Sequence, residues 1–363
     1  MDTSNAPGLP AADSGGRVPY RALALATGET HVCAILDDHN VKCWGHNSFG
    51  QLGYGDTQSR GRATFEMGDA LPIVDLGTAR AATAVAASRY TSCAILDDGS
   101  LRCWGWHGLS GSGSANEIGD QPGEMGDHLA ALDFGGRRPV HVAMGDLDAC
   151  ASMDDDTIWC WGESEVGGRP KRLAELPLMP VRMLGPAAGG VIAVYEDGTL
   201  SPVLPGQSAV LAFDRKVVSV AGSGNAPPCV LFDDGSTACH YGDSDRAWPA
   251  GVIAIGCERD GGLCAVLSDG TVTCRSQSCV QPSYYQCADN GAFSLGAPAV
   301  AVTSNGSEFA CGLLADGNVK CWGASSTPAW LPSPWFGASI DVTQTRAGLT
   351  YAWHTIDLGG HLP

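Results

Sequence analysis

Along this chain short apolar runs alternate with tight polar breaks, and no stretch shows the period of an amphipathic helix. The clearest unit is Cys93 to Gly105, CAILDDGSLRCWG, in which two strand-like runs flank an Asp-Asp-Gly break. A three-residue hairpin loop places its third residue in the left-handed region, where glycine costs least. That slot holds Gly99, Gly198, Gly235, Gly270 and Gly317 in five copies, and His39 and Asp156 in the others. Histidine and aspartate tolerate the left-handed region better than most side chains. The predicted hairpins span 31–45, 91–105, 148–162, 190–204, 227–241, 262–276 and 309–323. Their intervals of roughly 35 to 60 residues are those of one supersecondary unit.

Upstream of each hairpin an apolar strand ends in a small residue, seven positions before the first cysteine or its counterpart: Ala26, Ala86, Ala143, Gly185, Gly222, Cys257 and Ser304. Small side chains in one column predict crowding where the inner strands of several blades meet around a channel. Cys257 is then a buried thiol filling a small-residue slot. A second repeat follows the hairpins. Glu66-Met67-Gly68-Asp69 with Ile73 to Gly77 returns as Glu124-Met125-Gly126-Asp127 with Ala131 to Gly135, and Thr355 to Gly359 fits its second half. This segment is expected to be an outer strand, and the stretch 106–136 reads as an insertion rich in glycine and serine. Four strands repeated seven times predict an all-β, seven-bladed propeller of four-stranded antiparallel blades over 20–363, preceded by a flexible tail over 1–19. A solenoid would show polar capping repeats, and none is visible.

Of the 15 cysteines, twelve share one spacing: Cys33 with Cys43, Cys93 with Cys103, Cys150 with Cys160, Cys229 with Cys239, Cys264 with Cys274 and Cys311 with Cys321. A loop centred on its middle residue sets each pair directly opposite across the hairpin, where a disulfide closes without moving the backbone. Cys279 and Cys287 flank a loop and are expected to bridge it. Disulfides on this scale predict an oxidising compartment, hence a secreted, cell-surface or periplasmic protein. The first fifteen residues lack the basic start and apolar core of a secretion signal.

Charge narrows the partners. Lys+Arg 21 against Asp+Glu 39 gives a formal net charge of −18, which opposes binding to nucleic acid or an anionic membrane and favours a basic partner. No apolar run is long enough for a membrane helix. A monomer without a cofactor is expected.

The residue types that carry chemistry mostly have a plainer explanation. Trp44, Trp104, Trp161 and Trp322 follow the second cysteine of their hairpins, a registration that predicts blade-to-blade packing over a carbohydrate platform. Asp37-Asp38, Asp97-Asp98, Asp154-Asp155-Asp156 and Asp233-Asp234 lack the alternating spacing of a calcium cage and fit turn chemistry. Glu66 with Asp69 and Glu124 with Asp127 are expected to cap and hold the connections between blades. The histidines His31, His107, His141, His240 and His354 form no metal signature, and no nucleophile elbow or phosphate loop is present. No metal site is expected and no catalytic residue can be assigned.

The inner strand ending AVAAS, the hairpin SCAILDDGSLRCWG and the segment NSFGQLGYGD after the first hairpin resemble the repeat of the regulator of chromosome condensation family. The cysteine-bracketed variant with its GEMGD segment is similar to a bacterial, exported branch. The resemblance runs from about Ala22 to Gly359, is strong in the first two copies and fades in the fourth to sixth, and implies a seven-bladed propeller. Family members include an exchange factor for a small GTPase, an ultraviolet-B receptor and, by fold, propeller inhibitors of β-lactamase. The acidic charge argues against the chromatin-bound exchange factor. The receptor's Gly-Trp-Arg-His-Thr motif is absent from the loops GETHV, SRYTS, GDLDA, GNAPP and GSEFA, which argues against photoreception.

What remains is recognition by shaped loops. Those joining each inner strand to its hairpin surround one mouth of the channel and offer Glu29, His31, Arg89, Tyr90, Asp146, Asp148, Arg259, Asp260, Glu308 and Phe309. This mixed, net acidic set with two aromatics predicts a rim that recognises a protein or peptide. The alternative is a propeller enzyme, a hydrolase or lyase, with a metal or an acid/base pair in the channel.

Overall fold

The computed structural model describes residues 18–163, 168–173, 179–187, 190–203, 213–223, 226–239, 248–257, 263–275, 292–304, 309–323, 340–346 and 349–361. Among these residues the chain is all-β apart from three short 3-10 turns. Each repeat contributes an inner strand and a hairpin. The first sheet is Ala22–Thr27, His31–Leu36 and Val41–Gly45; the second is Ala82–Ser88, Thr91–Leu96 and Leu101–Gly105. The third, Pro139–Met144, Asp148–Met153 and Ile158–Gly162, adds the short outer strand Lys171–Arg172. The fourth, fifth and sixth have inner strands Val181–Ala187, Val217–Ser223 and Val252–Cys257. The seventh begins with Ala299–Ser304 and is completed by Leu349–Ile356 and Ile340–Arg346 from the end of the chain. All pairing is antiparallel, each inner strand lies beside the next, and that of the first sheet lies beside that of the seventh. The chain therefore folds as a β-propeller.

The hairpins form as their sequence dictates. His39, Gly99, Asp156, Gly198, Gly235, Gly270 and Gly317 all adopt positive φ, from 61° at Asp156 to 87° at Gly198. The preceding aspartate closes the turn on itself. Asp98 accepts the backbone N–H of Ser100 at 2.9 Å, Asp197 that of Thr199 at 2.9 Å and Asp316 that of Asn318 at 3.0 Å. These Asx turns absorb the acidic pairs without a metal.

The register then sets the cysteines of each hairpin face to face. Cys33 lies opposite Cys43, Cys93 opposite Cys103 and Cys150 opposite Cys160. Cys229 lies opposite Cys239, Cys264 opposite Cys274 and Cys311 opposite Cys321. All six pairs are disulfide-bonded with Cα–Cα separations of 4.0 to 4.1 Å, as the common spacing predicts. Cys279 and Cys287, expected to bridge their loop, lie outside the described residues.

Sheet-to-sheet packing follows one rule. The tryptophan after the second cysteine is buried against the disulfide of the preceding sheet. Trp104 shares a core cluster with Cys33 and Cys43, Trp161 with Cys93 and Cys103, and Trp44 with Cys311 and Cys321. Trp322 packs against the cluster of Cys264 and Cys274. In the third sheet Cys150 and Cys160 share their core with Tyr195 and with Val203, which stands at the tryptophan position of the fourth sheet. Trp104 Nε1–H donates to Gln51 O at 3.0 Å and Trp161 Nε1–H to Leu109 O at 2.9 Å, so both indoles are satisfied internally. Full burial leaves the rings of Trp44, Trp104 and Trp161 no role as a platform.

Three expectations change. The outer segments of the first two sheets are not regular strands: Val74 N–H bonds only Val41 O and Leu132 N–H bonds Leu101 O. Prolines and 3-10 turns in these connections interrupt the ladder. Residues 106–136 are not an insertion but repeat the connection after the first hairpin. Gly45 bridges Arg60 as Gly105 bridges Ile118, and Leu52 and Leu109 are both fully buried. Finally, Val18–Pro19 pairs with Gly360–His361, so the expected tail contributes a strand at its end.

The connections are held as expected. Asp127 accepts from Thr78 N–H at 2.8 Å, and Asp69 from Gly360 N–H at 3.0 Å. Glu124 accepts from Gly119 N–H at 2.8 Å and Glu66 from Arg62 N–H at 2.7 Å. Two cations complete the joints. Lys42 Nζ donates to Gly68 O and Leu358 O at 2.9 and 2.8 Å, while Arg102 takes the carbonyls of Leu76 and Gly126.

Candidate functional site

The inner strands wall a central cavity of about 270 Å³. Its lining includes Ala26, Ala86, Ala143, Gly222, Gly256 and Ser304, and five of these six belong to the column that sequence spacing singled out. Crowding explains the small side chains. A Cβ at Gly256 would meet Val302 O at 2.8 Å, and one at Gly185 would meet the Val220 side chain at 3.1 Å. For Cys257 the backbone lies in the sixth inner strand.

One mouth of this cavity is built by the loops between inner strand and hairpin. Glu29, Arg89 and Asp146 occupy the matching position of the first three sheets, four residues before the cysteine, and all three line the cavity. The loops are tied to one another: Glu29 N–H donates to Arg89 O at 3.0 Å, and the Ser88 hydroxyl donates to Gly145 O at 2.6 Å. Across the closing joint Thr27 Oγ1 and Thr303 Oγ1 are 2.7 Å apart.

Other members of the expected rim lie elsewhere. His31 and Asp148 are buried, not solvated, and Phe309 is half-buried against the core between the seventh and first sheets. The reason is strand alternation: a residue two before the cysteine points to the same face as the cysteine, toward the next sheet. His31 accordingly sets Nε2 2.8 Å from Ser92 Oγ of the second sheet, and burial pushes its pKa down to about 3. It serves as an uncharged joint between sheets. Arg259, Asp260 and Glu308 lie outside the described residues.

Tyr90, next to Arg89 in the same loop, gathers neighbours that the sequence did not single out. Phe49 stacks on it at 4.8 Å between ring centroids, and His46 lies at 6.4 Å. The Arg89 guanidinium sits 6.0 Å from the Tyr90 ring and 5.2 Å from that of Trp106. Beyond Trp106, His107 pairs with Glu117 at 2.8 Å. Phe49, Tyr90 and Trp106 are all half-exposed and make an aromatic band from the first sheet to the second. Phe49 and Trp106 sit in the connections after their hairpins, and only the fold carries them to Tyr90. No group of three His, Cys, Asp or Glu residues gathers at metal-binding distance among the described residues.

The site and its scaffold define a propeller of disulfide-stapled hairpins with a charged mouth and an aromatic cluster beside it. In sequence, residues 23–51, 82–110 and 299–326 of the chain match the regulator of chromosome condensation (RCC1) repeat. Among curated proteins it is 25% identical over 200 residues to the human E3 ubiquitin-protein ligase HERC2, a match spanning 54% of this chain and 4% of that protein. It is 26% identical over 200 residues to the ultraviolet-B receptor UVR8 of Arabidopsis thaliana, across 52% of this chain and 43% of the receptor. The chain thus matches less than half the length of either. Its fold is similar to that of Prp20p from Saccharomyces cerevisiae, with TM-score 0.50 and 15% identity over 93% of this chain and 82% of that one. It is also similar to the CRINKLY ectodomain of the Arabidopsis thaliana receptor kinase ACR4, with TM-score 0.53 and 15% identity over 85% of this chain and 99% of that one.

Proposed function

We propose that this chain is an exported, seven-bladed interaction propeller that recognises a protein or peptide at the channel mouth formed by its first three sheets. The observation that carries the reading is the half-exposed band of Phe49, Tyr90 and Trp106 with Arg89 among them. Tyrosine, tryptophan and arginine are the side chains most enriched where binding energy concentrates. The buried tryptophans of the hairpins have no such freedom. The net charge of −18 favours a partner with a basic surface. Six disulfide-bonded hairpins support export to an oxidising compartment. Prp20p, similar in fold, binds Gsp1p and histones, which supports a propeller scaffold as a platform for protein recognition.

The test is selection of peptides from a random displayed library on the intact protein. Binders should be enriched in lysine and arginine, and Tyr90→Ala or Trp106→Ala should weaken them by at least about tenfold, the usual effect of losing an aromatic anchor. Binders that ignore both substitutions would remove the reading.

A further inference from the structure

Several arginines of this molecule are taken up by carboxylates or carbonyls. Arg60 is paired with Asp56 at 2.7 Å, Arg80 with Asp98 at 3.0 Å and Arg137 with Asp155 at 2.6 Å, while Arg102 is consumed by two carbonyls. The Arg89 guanidinium makes no hydrogen bond and no ion pair with any described residue. Its orientation is nevertheless fixed, because the rings of Tyr90 and Trp106 hold it by cation–π contact. The backbone of Arg89 has φ 42°, in the left-handed region that a side chain of this kind rarely occupies. Backbone strain of this type collects at sites where a side chain must be presented in one direction. Arg89 is also among the residues that line the mouth of the cavity.

We propose that Arg89 is a carboxylate receptor at the channel mouth, taking an acidic side chain or the C-terminal carboxylate of a bound peptide. A planar guanidinium with unused N–H groups matches a carboxylate in a bidentate fork. Stacking against two rings removes much of the ordering cost that a free arginine would incur on binding. The cavity, about 270 Å³, lies just below the roughly 300–1,000 Å³ of sites that enclose a whole small ligand, so it suits one side chain or a chain end. Glu29 and Asp146 line the same mouth and fix what surrounds the anchor. They disfavour a uniformly acidic segment and favour a single carboxylate flanked by basic residues. The inference rests on the rim reading above and adds to it the identity of the anchor.

Three small probes test it on the intact protein: N-acetylglycine for a chain end, N-acetylaspartamide with a free β-carboxylate for a side chain, and N-acetylglycinamide as the uncharged control. The readouts are the Nε–H resonance of Arg89 and the fluorescence of the intact protein. At least one carboxylate probe should saturate with a dissociation constant on the order of millimolar, and the tighter of the two names the source. The amide should leave the resonance unmoved. Arg89→Met should abolish the response and Arg89→Lys weaken it by about tenfold, because lysine lacks the planar fork. Should Arg89→Met not fold, the wild-type titration of the Arg89 resonance still decides. Failure of both carboxylates to shift that resonance, or an equal response in a folded Arg89→Met protein, overturns the inference. Library peptides that need Tyr90 and Trp106 but ignore Arg89 would sink the anchor and leave the rim. Saturable carboxylate binding with no rim-dependent peptide would do the reverse.

Discussion

Trp104 donates its indole N–H to the carbonyl of Gln51 at 3.0 Å while its ring is buried in the core that contains the Cys33–Cys43 disulfide. The two residues belong to different repeats, so a single side chain joins two sheets by packing and by a hydrogen bond at once. The joint recurs as Trp161 with Leu109 O across the next interface. Trp104→Ala should lower stability by about 3–5 kcal/mol, the usual cost of emptying a large aromatic site, and leave Gln51 O with the Ser92 hydroxyl as its remaining donor. Urea denaturation measures it; a loss below about 1 kcal/mol contradicts the assigned role.

The staples should matter less than the tryptophans. Each disulfide closes a loop with a sequence separation of 10 residues, for which chain entropy predicts at most about 3 kcal/mol. Cys33→Ala with Cys43→Ala should fold with a lower melting temperature. Alkylation of the unreduced protein under denaturing conditions should find the twelve hairpin cysteines protected. Labelling of those twelve would remove the argument for an oxidising compartment.

His31 gives the molecule a pH dependence of known sign. Its pKa of about 3 when folded lies below the ordinary value near 6.5 expected of the unfolded chain, because burial disfavours the imidazolium. Between those values the unfolded state binds the extra proton. Stability should therefore rise with pH from about 3 to about 6.5, by up to about 1.4 kcal/mol per unit, and level off above. His31→Gln should flatten that slope in denaturation curves taken from pH 4 to pH 7. The turn aspartates act further down. Hydrogen bonds from the Thr271 hydroxyl and N–H hold the Asp269 carboxyl below its usual range, so its contribution is present above that range and is lost as the pH falls through the folded value.

The inner column should tolerate no side chain at Gly222. A Cβ there would overlap Pro186 O, and the neighbouring inner strand cannot withdraw without opening the ring. Gly222→Ala should cost about 1–3 kcal/mol. Thermal melting alongside wild type checks this, and an unchanged midpoint would show that the column is looser than its spacing implies.

The hairpins were legible because their constraints are local. Seven left-handed positions, the Asx turns and the cysteine register are each decided within about ten residues of chain. The small-residue column was legible because it repeats. The mouth was legible only in part. Glu29, Arg89 and Asp146 stand where the loops suggested, whereas His31 and Asp148 face the next sheet, a consequence of strand alternation and of which face the neighbour covers. Phe49 and Trp106 had no local signal at all. Both lie in glycine-rich connections, and their approach to Tyr90 and Arg89 depends on how two repeats dock.

The most direct test of the rim is a footprint. A peptide selected on the intact protein is bound at saturation, and amide hydrogen exchange is compared with and without it. Recognition at the mouth predicts protection confined to 28–30, 46–51, 88–92, 105–108 and 145–148, with the hairpin turns at 37–40 and 97–100 unchanged. Protection at those turns, with the mouth exchanging as in the free protein, would contradict the account.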